Sequence, residues 1–382
     1  MIANKHNRLS PAYGFDDISI APGSFTINPD QTQTTFTIGG HKLEIPIIAS
    51  AMDAIVSTSF AIKLGKLGGL GVLNLEGVIS RYSNPQEAID KIINSRPEDV
   101  IPIFQDIYSH PINNNLIGDR ISEIKSMGIT CAVSVTPANT KRLSPLAIEA
   151  GADILCVQST VTTARHESKS IKGLVFNEFL KTINIPVIVG NCVSYETTLE
   201  LMETGIDGIL VGVGPGAACT TREVTGVGVP QVTATLDCSA ARNEYHKRTG
   251  KYVPIITDGG IRNGGDLCKA IASGADAVMI GTPFAQSNEA PGGGYNWGMA
   301  SPHPALPRGT RIEVGVKASL EQILFGPSSI TNGTMNLVGA LKACMGMVGA
   351  YTVQDMHRTN LVLAPSIKTE GKHLQQSGYG AP

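Results

Sequence analysis

The chain has 382 residues, 42% of them hydrophobic, and a formal net charge of -2, which suits one large domain or two ordinary ones. Balanced charge and scattered lysines and arginines exclude a standing polyanionic partner, nucleic acid included. No apolar run reaches the roughly 18 residues of a bilayer span, so no membrane partner is expected.

Seven cysteines without regular spacing predict reduced thiols in a cytoplasmic protein. No CxxC pair or HExxH supports a zinc site. Residues 1–6 carry no apolar signal region.

In chain order, apolar runs suited to strands occupy residues 45–49, 69–73, 130–135, 154–158, 186–191, 208–213, 254–258 and 277–281. Helical spacing of apolar residues falls between them, at 57–67, 139–150, 196–204 and 265–273. Gly-Ala-Asp or Gly-Ile-Asp recurs at the helix-to-strand turns, at 151–153, 205–207 and 274–276, where glycine ends a helix. Continuous Val/Ile runs between such turns signal parallel strands covered by helices. Eight units predict an α/β fold, a (β/α)8 barrel forming a single domain over 1–382, with an open doubly wound sheet as competitor.

The apolar run at 100–104 lies outside that count, and the interval 96–128 reads as an elaboration between the second and third units. Residues 289–313, rich in proline and glycine, read as a lid loop after the eighth strand. Residues 334–350 read as a closing helix. The polar tail 365–382 is available to a neighbouring subunit.

Polar or glycine-rich residues follow nearly every proposed strand: Ser50, Met52 and Asp53, then Asn74, Gln158-Ser159-Thr160, Asn191, Asp258-Gly259-Gly260 and Gly281-Thr282. In a barrel these positions share one rim, where active sites form, and glycines after strands seven and eight suit a phosphate. A carboxylate beside Gly259-Gly260 can accept hydrogen bonds from a ribose diol. Taken singly, each also has a structural reading: a turn, a helix cap, or core filler for Met52.

The most distinctive stretch follows the sixth strand. Gly212, Gly214 and Gly216 alternate ahead of Cys219-Thr220-Thr221-Arg222. Such a loop exposes backbone N–H and C=O groups able to cradle a phosphate or a cation. A cysteine at its end is a candidate nucleophile. A tight turn with a small core cysteine is the alternative.

These motifs resemble the IMP dehydrogenase/GMP reductase family. The resemblance begins at Phe15-Asp16-Asp17, passes through Ser50-Ala51-Met52-Asp53 and Gly190-Asn191, and is densest from Val211 to Gln231. It continues through Asp258-Gly259-Gly260-Ile261-Arg262 and Gly281. It implies a (β/α)8 barrel that oxidises IMP to XMP with NAD, in guanine nucleotide synthesis, as a homo-oligomer (tetramer or octamer). By resemblance, Cys219 attacks C2 of IMP and Thr221 helps to position water. Asp258 holds the ribose; Gly260, Gly281 and Thr282 hold the phosphate. Ser50, Met52, Gly298 and Met299 surround the base, with Asn191 also on the substrate. Gln158, Ser159, Thr160 and Gly212 are the NAD positions. Carbonyls of Gly214, Gly216 and Cys219, with Glu370 from another subunit, are the expected set for a monovalent cation such as K+.

The chain departs from the family pattern in several places. The interval 96–128 is too short for the regulatory CBS modules of family dehydrogenases. Gln158 stands where the family has an aspartate, and Ala217 where it has a serine. No Arg-Tyr pair lies between Ser301 and Arg311, and Arg308 falls near a family Glu or Gln, which makes it the candidate for water activation. GMP reductase, which returns GMP to IMP with NADPH, is the alternative within the family. A non-catalytic purine-nucleotide-binding barrel is the alternative of another class, and it has no use for a retained Cys219.

Overall fold

A computed structural model describes residues 9–167, 173–298 and 311–364. Eight strands form a closed barrel: β1 (Ile47–Ala49), β2 (Leu70–Asn74), β3 (Ala132–Val135), β4 (Ile154–Gln158), β5 (Val187–Cys192), β6 (Gly208–Val211), β7 (Ile255–Asp258) and β8 (Ala277–Ile280). Every neighbouring pair is parallel, and β8 pairs with β1, Met279 opposite Ile48. That pairing settles the choice against an open sheet. The fold is a single-domain (β/α)8 barrel, and all eight expected strands are present with bounds shifted by a few residues.

Alternation along the strands builds two cores. Ile48, Leu70, Val72, Ile154, Cys156, Leu210, Ile256 and Met279 point into the barrel. Their strand neighbours, such as Ile47, Leu73, Leu155, Val157, Val278 and Ile280, pack outward under the helices. Phe36, Ile38 and Leu43 join the inner cluster. They belong to an antiparallel hairpin, Phe36–Ile38 with His41–Leu43. Ile38 reaches the first residue of β6: a methyl group on Gly208 would come within 2.8 Å of its Cδ1. The hairpin therefore plugs the end where strands begin and leaves the C-terminal rim for chemistry.

The Gly-x-Asp repeats have a second use at the plugged end. Asp153 accepts the Cys131 N–H at 2.7 Å, Asp207 the Val187 N–H at 2.9 Å and Asp276 the Ile255 N–H at 2.8 Å. Each carboxylate ties the start of its own strand to the start of the preceding one. The bases of β3/β4, β5/β6 and β7/β8 are pinned in this way. In the sequence the glycines of these turns stand out, and the long-range use of their aspartates does not.

The interval 96–128 holds a 3-10 turn at Pro97–Asp99 and helices Val100–Ser109 and Asn114–Ser126. The apolar run at 100–104 thus opens a helix, preceded by another at Pro85–Ile93. Asn114–Ser126 packs on both Thr58–Lys66 and Thr140–Glu149, as a barrel helix does. The described part of 289–313 is more than loop. Tyr295–Trp297 pairs antiparallel with Arg311–Glu313, Trp297 opposite Arg311. The closing helix runs Leu337–Val348, and Ile18–Ile20 pairs with Leu361–Leu363. Among the described residues no helix is long and apolar enough to cross a membrane.

The plug can be tested by overfilling it. Gly208→Val should destabilise the barrel by about 1–3 kcal/mol. Ile38→Val should restore part of that loss in the double variant while costing stability alone, as read by chemical denaturation.

Candidate active site

The loop after β6 is held by backbone geometry that only glycine tolerates. Gly212 has φ +148°, and a Cβ there would lie 2.3 Å from the Asp258 carbonyl oxygen. The loop therefore starts in contact with the end of β7. Pro215 then lies on Gly259 and Gly260, whose Cβ positions would be 3.1 and 3.2 Å from its ring. Arg222 fastens the far side, donating to the carbonyls of Val213 (3.1 Å) and Val229 (2.6 Å). Arg222 entered the sequence reading only as part of a motif; here it clamps the loop.

Cys219 is half-buried in this loop, whereas Cys131, Cys156, Cys192, Cys238 and Cys268 are buried. Its thiol lies 3.3 Å from the Thr221 hydroxyl, and its N–H donates to the Gly216 carbonyl at 3.0 Å. Cys156, inside the barrel, is a contrast. Burial first, and then the nearby Asp258 charge, push its thiol up to about 12, which makes it inert as a nucleophile.

Three strands place amide and carboxylate groups together. Asn191 Nδ2 and Gln158 Nε2 donate to Asp258 Oδ2 at 2.8 and 3.0 Å, and Gln158 Nε2 also reaches Asn191 Oδ1 at 3.2 Å. Burial pushes the Asp258 carboxyl up to about 6, against the pull of the Asn191 and Gln158 hydrogen bonds. Gln231 braces the same corner, donating to the carbonyls of Val211 (2.7 Å) and Asp258 (2.9 Å). The sequence reading divided Gln158, Asn191 and Asp258 between cofactor and substrate. The structure puts them in one network and adds Gln231, for which no spacing signal existed.

On the other side of the rim, a methyl group at Gly281 would lie 3.5 Å from Met52 Sδ and 3.9 Å from Ser50 Oγ. Gly281 precedes the short helix Thr282–Ala285. A methyl group at Gly298 would come 3.2 Å from the Ala218 carbonyl oxygen, next to Cys219. Ser50, Met52 and Gly281 therefore border one stretch of the rim, and Gly298 borders the cysteine loop. The Ser159 hydroxyl is spent within its own loop, on Val161 O (2.9 Å) and Thr162 Oγ1 (2.8 Å). Thr160 is half-buried beside it. Met299, Arg308 and Glu370 lie outside the described residues.

The expected ligands fit unequally. Gln158 Oε1 is buried with no hydrogen-bond partner among the described residues, which suits a ligand donor such as the carboxamide N–H of a nicotinamide. For a monovalent cation the described donors are three carbonyls of one loop, and that of Gly216 already accepts the Cys219 N–H. Those carbonyls alone do not enclose an ion.

Comparison with known proteins gives a consistent result. Residues 12–372 match the model of the IMP dehydrogenase / GMP reductase domain. An uncharacterized oxidoreductase of Mycolicibacterium smegmatis is 39% identical over 360 residues, covering 92% of this chain and 96% of the relative. An inosine-5'-monophosphate dehydrogenase of Borreliella burgdorferi is 32% identical, with 90% of this chain and 92% of the relative covered. The crystal structure of an IMP dehydrogenase/GMP reductase-like protein from Corynebacterium glutamicum superposes with a TM-score of 0.88. It shares 37% identity and covers 94% of this chain and 96% of its own.

Asp258 supplies a test of the network. Its folded pKa of about 6 stands above the ordinary 3.8, so the ionised side chain opposes folding once both states are ionised. The penalty is absent below about pH 4, grows as pH rises toward 6 and is constant above. Asp258→Asn should therefore gain stability relative to the parent at pH 7.5. That gain should shrink to nothing as pH falls from 6 to about 4, as measured by thermal unfolding across pH.

Proposed function

Because the chain belongs to the IMP dehydrogenase/GMP reductase family, it is an oxidoreductase, and we propose that it oxidises IMP to XMP with NAD through a covalent bond on Cys219. The observation carrying this reading is the packing of Pro215 on Gly259-Gly260. It fixes a half-buried thiol beside the carboxylate network of Asp258, so that a nucleotide held by one is presented to the other.

In this reading Asp258, oriented by Asn191 and Gln158, accepts hydrogen bonds from the ribose hydroxyls. Gly260, Gly281 and Thr282 take the phosphate, and Ser50 and Met52 border the base. Cys219 sulfur adds to C2 of the purine, an electron-poor carbon. A bound nicotinamide supplies the acceptor for the hydride that leaves C2. Water then displaces the sulfur from the resulting thioimidate, releasing XMP and restoring the thiol. The bond to Cys219 splits one hard substitution into two easier steps. Thr221, whose hydroxyl lies 3.3 Å from the sulfur, orients that water in this reading.

One observation favours a second reading. Residues 301–311 contain no tyrosine, so the pair that activates water in family dehydrogenases is missing. A GMP reductase needs no such water: the same Cys219 adduct would form as ammonia leaves C2 and would be resolved by hydride from NADPH.

Purified protein given IMP and NAD should form XMP with matching NADH. Reduction of GMP with NADPH, without XMP from IMP, would reverse the assignment. Under either reading Cys219→Ala should abolish turnover while changing nucleotide binding by less than about tenfold, roughly 1.4 kcal/mol, by calorimetry. Substantial residual turnover would remove Cys219 as the nucleophile.

A further inference from the structure

The helices between β2 and β3 reach both the loop after β1 and the segment beside the cysteine loop. Tyr108, on Val100–Ser109, donates its hydroxyl proton to Asp53 Oδ2 at 2.7 Å and accepts from Trp297 Nε1 at 2.9 Å. Asp53 is buried and directly follows Met52, which borders the base side. Trp297 is buried and directly precedes Gly298, which abuts Ala218 next to the nucleophile. One hydroxyl therefore bridges the loop after β1 and the support of the cysteine loop. Phe104, one turn earlier on the same helix, adds ring contacts at 6.1 Å to Tyr108 and 6.0 Å to Trp297.

The opposite leg of the hairpin is held independently. Arg311, paired with Trp297 across the ladder, donates to the Ile93 carbonyl and the Ser95 hydroxyl, each at 2.9 Å, and also to the Ile92 carbonyl. These acceptors sit at the C-terminal end of Pro85–Ile93, where a cation is favoured. Its guanidinium also lies 4.8 Å from the Tyr295 ring centre. At the hairpin's entrance, the Gly292 N–H donates to Ala54 O at 3.0 Å, beside Asp53. Both legs thus rest on helices that lie between β2 and β3, Val100–Ser109 on one side and Pro85–Ile93 on the other.

We infer that the helices Pro85–Ile93 and Val100–Ser109, between β2 and β3, are the anchor that sets the cysteine loop against the base side of the mouth, with Tyr108 and Arg311 as positioning residues. Neither side chain touches the reacting atoms in this assignment. They act through Trp297, Gly298 and Asp53. The kinetic part of this inference rests on the function proposed above; the spectroscopic and labelling parts do not.

Trp297 is the chain's single tryptophan, so its emission reports on the anchor directly. In Tyr108→Phe, acrylamide quenching of that emission should rise at least twofold. Alkylation of Cys219 by iodoacetamide, resolved by peptide mass spectrometry, should speed up at least threefold. The kcat should fall at least tenfold while the nucleotide Kd stays within twofold. Arg311→Gln carries the same expectation from the other leg and decides the matter if Tyr108→Phe does not fold. Unchanged quenching and alkylation in the folded variants would overturn the inference. So would lowered thermal stability with kcat falling and Kd rising together, which marks a merely structural role. If the parent turns over neither nucleotide pair, the proposed function fails, and quenching and alkylation still decide the anchor.

Discussion

A half-buried carboxylate, held among the described residues by neutral amides and not by a cation, governs this rim. Asp258 is held by two amides, and those amides belong to the ends of β4 and β5. They converge only if the barrel closes in its observed register. A slip of one residue on any of the three strands would turn the side chain concerned to the other face. The carboxylate would then be left in a low-dielectric site with one donor or none. Asp258 also sets the start of the cysteine loop, because Gly212 rests on its carbonyl group and Gln231 ties that carbonyl to Val211. The nucleophile and the carboxylate are thus positioned by one piece of backbone.

The seven cysteines illustrate how position outranks chemistry. Cys156 shares its residue type with Cys219 and has Asp258 nearby, but it faces the sealed interior and its thiolate is disfavoured by burial. Cys192 closes β5 at the rim, yet it is buried, with its sulfur 3.3 Å from the Thr198 hydroxyl. Only the glycine-rich loop lifts a thiol to the open mouth, and it does so because Pro215 has a flat glycine surface to lie on.

Much of the barrel was legible in the sequence because parallel strands buried on both faces leave continuous Val/Ile runs, and each run is punctuated by a glycine turn. The closure was inferable from the count of eight. What the local pattern hid depends on long-range pairing. Gln158 and Asp258 are one hundred positions apart, and no spacing rule joins an amide on one strand to a carboxylate three strands later. Residues 100–104 looked anomalous because a short apolar run does not reveal its period; three-dimensional context makes it helix. Tyr295–Trp297 was hidden in a stretch whose glycines and prolines read as loop. The rim residues Ser50, Met52 and Gly281 could be proposed from motifs, but their shared border is a property of the closed ring.

The Gly-x-Asp turns and the rim network together stitch the barrel alternately at its two ends. At the plugged end, side-chain carboxylates join β3 to β4, β5 to β6 and β7 to β8. At the open end, amides join β4 to β5, and Gln231 joins β6 to β7. Neither of the two seams tied above, β4/β5 and β6/β7, carries a Gly-x-Asp carboxylate below. Main-chain ladders run along both, but the upper ties on these two seams are made by site residues. A molecule settling on Gln158, Asn191 and Asp258 would therefore tighten the two seams whose upper ties are made by site residues. Occupancy of the mouth then becomes a mechanical property of the whole ring, felt as slower opening of β4 from β5 and of β6 from β7.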